Sequence, residues 1–155
     1  MSKLTIEYEE VPVSGLAPAL KGLYHQSMLA MEKAYAPYSN FSVGAGLLLE
    51  NGNIITGNNQ ENAAYPSGLC AERVAFFKLR SEELTPVQAV MVVTRNQDGV
   101  RAESFPCGAC RQVMLEYAEN QEKPISIFMQ KNADSFLKIK DLRSLLPFSF
   151  TNKIL

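Results

Sequence analysis

The three cysteines of this chain fall in two short segments far apart in the sequence, Cys70-Ala71-Glu72-Arg73 and Pro106-Cys107-Gly108-Ala109-Cys110-Arg111-Gln112, and none is left over for another task. If all three serve one centre, the intervening chain must run out and come back. Cys107 and Cys110 are spaced so that a helix beginning at Cys107 carries both thiols in its first turn, where unpaired N–H groups and the helix dipole favour thiolate. Cys70 opens a second helical pattern in the same way. A strand between the two helices would return the chain, so the cysteine placement asks for a folded αβα unit.

Three protein ligands with one position open is the arrangement of a catalytic zinc ion, whereas four protein ligands close a structural site. The single histidine, His25, is the one further imidazole donor in the chain, and it lies in an amphipathic helical stretch that reads as surface or packing. Taken alone, Cys107-x-x-Cys110 also fits a structural zinc knuckle, a redox pair or a disulfide. The last is disfavoured by the absence of a secretion segment. Glu72, two residues past Cys70, can approach an open coordination position without being a ligand itself.

The chain has 155 residues, 46% of them hydrophobic and 20% charged, with a formal net charge of −1. These values suit one domain over 1–155, with 1–15 as a possible N-terminal arm or added edge segment. Near-neutral charge offers no general attraction to nucleic acid or anionic membrane, and no apolar run approaches the ~20 residues of a membrane span. The expectation is a cytoplasmic protein acting on a small, uncharged molecule.

Apolar residues at helical spacing from Leu16 to Tyr35 predict a first helix, with Pro18 near its start. Phe41–Leu49 and Ile54–Gly57 read as a hairpin whose Asn51-Gly52 turn requires positive φ. Cys70–Arg80 predicts a helix with Ala71, Val74, Ala75, Phe77 and Leu79 on its apolar face. Val87–Val93 is an unbroken apolar run, as in a strand buried on both faces. A helix over Cys107–Tyr117, strands at Ile125–Met129 and Phe136–Ile139, and a short helix at Asp141–Leu146 complete the pattern. The fold class is α/β: a three-layer α/β/α sandwich around a mixed sheet of about five strands.

Beyond the cysteines, Ala34-Tyr35-Ala36-Pro37-Tyr38-Ser39-Asn40-Phe41-Ser42-Val43-Gly44-Ala45, Asn59-Gln60-Glu61-Asn62-Ala63-Ala64-Tyr65 and Leu145-Leu146-Pro147-Phe148-Ser149-Phe150 resemble, in order, the first-strand entry, nucleoside loop and C-terminal segment of the small homotetrameric cytidine deaminases. The likeness runs from about residue 16 to residue 151, and Cys-x-Glu with Pro-Cys-x-x-Cys is the zinc-deaminase signature. The resemblance implies one Zn²⁺ per subunit on Cys70, Cys107 and Cys110, with Glu72 moving protons. It assigns Asn59 and Glu61 to the ribose hydroxyls, Phe41 and Ala71 to substrate contact, and Phe150 to the base in a neighbouring subunit's site. Arg73 and Gln112 would donate to the zinc thiolates. Three thiolates on Zn²⁺ carry net charge −1, which an adjacent cation such as Arg73 offsets.

The implied reaction is hydrolysis of the C4 amine of cytidine or deoxycytidine, giving the uridine and ammonia. Two other readings remain: deamination of an aminoacyl-nucleoside antibiotic, and a catalytically inactive zinc-stabilised interaction module. The intact Glu72 argues against the second, because zinc binding alone does not need it.

Overall fold

The computed structural model describes residues 1–152. Nine regular elements follow in chain order: β1 (Glu9–Pro12), α1 (Pro18–Met31), β2 (Ser42–Leu49), β3 (Ile54–Asn58), α2 (Ala71–Glu82), β4 (Val87–Arg95), α3 (Gly108–Glu119), β5 (Ser126–Gln130) and β6 (Ser135–Ile139). A short 3₁₀ turn at Leu142–Leu145 takes the place of the expected final helix. The strands form one mixed sheet in the order β1-β6-β5-β4-β2-β3. Five of them are the expected strands. The sixth, β1, comes from the N-terminal arm and pairs antiparallel with β6, Glu9 opposite Lys138 and Pro12 opposite Ser135. Its proline and the Glu9–Lys138 and Glu10–Lys131 ion pairs suit an edge strand, where an unpaired ladder must be blunted.

Alternation along the strands divides the core. On one face Leu48, Ala89, Met91, Val93 and Phe128 pack against Leu23 and Met31 of α1. On the other, Ala45, Leu47, Val90, Val92, Ile127 and Met129 pack against Ala75, Phe76 and Leu79 of α2 and Met114 and Ala118 of α3. The three layers are therefore α1, the sheet, and α2 with α3. The buried face of α2 includes Phe76, whereas Phe77 is exposed, contrary to the sequence expectation. A helix advances about 100° per residue, and Phe76 shares a stripe with Glu72 and Leu79.

Glycines let helices approach the sheet closely. A Cβ at Gly44 would stand 2.7 Å from Met31 N, and one at Gly57 would stand 2.6 Å from Ala71 O and collide with Ala75 N. The β2–β3 turn has Gly52 at φ +86°, with Asn51 Oδ1 accepting from Asn53 N at 3.0 Å.

Connectivity places the functional pole. β2 is antiparallel to both β3 and β4, so β3 and β4 run in the same direction. The helices that follow them, α2 and α3, therefore begin at the same end of the sheet. In open α/β sheets this carboxyl end is where ligands bind.

Candidate metal centre and its cavity

At that pole the three cysteines converge. Cys70 is the N-cap of α2 and Cys107 the N-cap of α3, both with extended backbone. Cys110 sits in the first turn of α3, and its N–H donates to Cys107 Sγ. Cys70 Sγ and Cys107 Sγ are 3.8 Å apart, Cys107 Sγ and Cys110 Sγ 3.4 Å, and all three lie within 4.8 Å of one another. Zn–S bonds of about 2.3 Å in a tetrahedron separate sulfurs by about 3.8 Å. The donor set and its spacing fit zinc. His25 is exposed on α1, in the layer across the sheet.

The thiols differ in their hold on protons. Cys70 is lowered to about 5, first by its bond to Cys110 and further by Arg73 and Cys107. Cys110 is pushed up by its bond to Cys70 and by burial. Within the trio, negative charge therefore settles at Cys70, beside the Arg73 guanidinium. Arg73 Nη2 donates to Gly68 O at 3.5 Å and stands 4.0 Å from Cys70 Sγ. Its Nε is buried without a partner among the described residues, so donor capacity remains.

Glu72 is only 4% exposed. Burial raises its pKa above the usual carboxylate range, and the nearby Cys70 charge adds to this. A carboxyl whose pKa is raised by burial is better matched to both accepting and donating a proton.

The cluster opens into a cavity of about 650 Å³, whose walls include Phe41, Asn59, Glu61, Cys70, Glu72, Arg73 and Cys107. Asn59 ties two segments together: Nδ2 donates to Phe41 O and Oδ1 accepts from Val43 N, both at 2.8 Å. One Nδ2 hydrogen remains for a ligand. Glu61 accepts from Tyr38 N at 2.8 Å and Ser39 Oγ at 2.5 Å. The Ser39 bond holds its pKa below the ordinary value, so it faces the cavity ionised.

Three sequence-assigned residues stand elsewhere. Ala71 is fully buried with its carbonyl against Gly57, and its side chain does not reach the cavity wall. Gln112 Nε2 donates to Phe150 O at 3.0 Å rather than to a thiol. It lies five residues past Cys107, about 140° around the helix. The Phe150 ring is 59% exposed and outside this chain's own cavity. Conversely, Thr94, Glu103, Ser104 and Phe105 line the cavity and were not singled out. Their one sequence signal is position, at the end of the β4 apolar run and just before Pro106-Cys107.

A sequence profile of the cytidine and deoxycytidylate deaminase zinc-binding region matches residues 19–122. The chain belongs to this family. A cytidine deaminase of Sporosarcina psychrophila is 41% identical over 131 residues, 84% of this chain and 90% of that protein. One from Halalkalibacterium halodurans is 41% identical over 129 residues, 83% and 92% of the respective chains. The crystal structure of cytidine deaminase from Burkholderia pseudomallei superposes with TM-score 0.71 at 36% identity, covering 84% of this chain and 98% of that one. As in the rest of the family, the metal is zinc, and the three-thiol cluster is the donor set able to hold it.

Proposed function

We propose that this chain, acting as one domain, hydrolyses the exocyclic amine of cytidine and deoxycytidine to release ammonia. The observation that carries the reading is Glu72, buried at the floor of the cavity beside three convergent thiols. The relatives' names support the choice of base.

Zinc held by Cys70, Cys107 and Cys110 supplies a Lewis acid that makes water nucleophilic at neutral pH. Glu72 takes the proton of the attacking water and gives it to N3 of the base. Attack at C4 gives a tetrahedral carbon. Glu72 then takes the proton of the new C4 hydroxyl and delivers it to the exocyclic amine, which leaves as ammonia as the C4 carbonyl forms. Phe41 packs beside the pyrimidine, while Asn59 and Glu61 present a free N–H and a carboxylate to the sugar hydroxyls. Arg73 counters the charge of the thiolates.

The charge of the walls separates nucleoside from nucleotide. Glu61, Glu72 and Glu103 face the cavity, and Arg73, beside the thiols, is the one cation among the described lining residues. A phosphate would meet carboxylates, with the one lining cation standing beside the thiols, which favours a neutral nucleoside over deoxycytidylate.

The test is ammonia release by zinc-loaded protein from cytidine, deoxycytidine and deoxycytidylate. Both nucleosides are expected to turn over, deoxycytidylate poorly. Glu72→Gln should keep zinc and lose activity about 10²–10⁴-fold. A wild-type rate in that variant removes Glu72 from the mechanism.

Assembly into a homotetramer with shared sites belongs to the same proposal. Phe105, Tyr65, Phe148 and Phe150 leave large aromatic surface exposed on the isolated chain, and Phe150 is not among the residues that line its own cavity. Sedimentation should give a tetramer, and Phe150→Ala should weaken nucleoside binding. A fully active monomer defeats the shared site.

A further inference from the structure

The strand ladder between β4 and β5 ends early, and a buried side chain continues it. The last registered pair is Val92 with Met129. One residue further along β5, Gln130 is 1% exposed and directs its amide at the main chain of Thr94. Its Nε2 donates to Thr94 O at 3.0 Å, and its Oε1 accepts from Thr94 N at 3.4 Å. A side-chain amide has the same donor and acceptor as a peptide group, so Gln130 supplies the rung the diverging strands no longer make.

The same amide reaches a third partner. Nε2 also donates to Ala102 O at 3.0 Å, and Thr94 Oγ1 donates to that carbonyl at 2.7 Å. The main chain of Gln130 adds a further tie, accepting from Ser104 N at 2.9 Å. Ala102 to Ser104 belong to the long connection between β4 and α3, which ends at Cys107. Glu103, Ser104, Phe105 and Cys107 all line the cavity. Arg111 Nε, donating to Pro106 O at 2.9 Å, secures the next residue back from the thiol.

We propose that Gln130, together with Thr94, is a positioning residue for this reaction: it fixes the Ala102–Ser104 segment and thereby sets where Cys107 and the Glu103–Phe105 wall stand. The inference rests on the deaminase reading of the cavity, but not on which base is bound. Gln130 touches no ligand position and acts only through the connection. Removing its amide leaves two groups of Thr94 unpaired and takes one of the two bonds from Ala102 O, all in a buried place where unmade bonds are costly. The segment is then released toward water, and one zinc ligand with it.

Gln130→Met keeps the size and deletes every side-chain bond. Zinc-loaded variant and wild type are mixed with excess chelating dye, and KM and kcat are measured in parallel on cytidine. Zinc release is expected to be about 10–100-fold faster, the range found when groups that orient metal ligands are removed, and KM is expected to rise with it. Leu23→Ala is the control for simple destabilisation. Leu23 is buried on α1, in the layer across the sheet from the thiols, so its stability loss should leave zinc release unchanged. If Gln130→Met does not fold, Thr94→Val decides, with Thr94→Ser expected to restore the wild-type release rate by restoring the hydroxyl. Zinc release and KM within about twofold of wild type, in whichever of these variants folds, overturns the proposal. Because dye competition needs no substrate, a wild type inactive on cytidine would refute the activity reading alone.

Discussion

The two helices that deliver the thiols reach the site under different constraints. α2 arrives pressed on the sheet: Gly57 leaves no room for a Cβ between β3 and the main chain of Ala71 and Ala75, and Ala71, Ala75 and Phe76 are fully buried. α3 arrives after the connection over residues 96–107, which is tied down by hydrogen bonds from Thr94, Gln130 and Arg111. Packing is short-ranged and tolerates almost no change of volume, whereas a hydrogen-bonded strap depends on a few polar groups. The first half of the site is therefore sensitive to size and the second to polarity. The group with the most demanding chemistry, Glu72, stands on the packed half.

The sharpest way to break this contrast is Gly57→Val. Its side chain would occupy the space of the α2 main chain, and both cannot fit. The expected loss exceeds the ~1–3 kcal/mol of ordinary overpacking, because helix backbone rather than a side-chain tip must move. Urea unfolding should show a large drop or no folded protein. A folded variant with wild-type stability and zinc content would mean that α2 is not held by close packing.

Arg73→Ala tests the charge on the same half. Arg73 stands beside Cys70 with donor capacity unspent, so its loss should leave most zinc in place while lowering kcat/KM by about 10–100-fold. Arg73→Lys should recover only part, since a point charge lacks the planar fork of donors. Unchanged turnover in Arg73→Ala would show that the two helix N-termini alone suffice to balance the thiolates.

The packed half was the more legible in the sequence, and the reason is physical. Cys70, Glu72 and Arg73 lie within the first turn of one helix, so spacing alone orients them. The long strands β2 and β4 carry near-continuous apolar runs and the helices a helical periodicity, and each is legible to within a few residues. Phe76 and Phe77 show the limit: adjacent identical residues give no hint of which faces the sheet, and the layer beneath decides. β1 was open because four residues of mixed character become a strand only when β6 offers an edge. Gln130 gave no signal at all. A glutamine closing an apolar run reads as the strand's exit to water, and its burial depends on a connection that folds back from Ala102. Gln112 was placed by resemblance, and its bond to Phe150 O depends on where the C-terminal segment lies.

Protons distinguish the two helix starts most finely. With Cys70 lowered to about 5, the metal-free protein at pH 7 already carries a thiolate on α2. Cys110 on α3, held above the ordinary thiol value by its bond to Cys70 and by burial, keeps its proton until the metal displaces it. Zinc uptake at pH 7 is therefore expected to release fewer protons than the three thiols could supply. Calorimetry in two buffers of different protonation enthalpy counts them. As pH falls through about 5, Cys70 takes up its proton, the count rises, and zinc affinity drops more steeply with pH. The sign for stability is the same. A depressed thiol stabilises the metal-free fold fully above the unfolded value of about 8.5, and that contribution is lost as pH falls through the folded one. Release of all three protons at pH 7 would place Cys70 on the same footing as Cys110 and erase the electrostatic part of the contrast, leaving packing against polarity as the difference between the two halves.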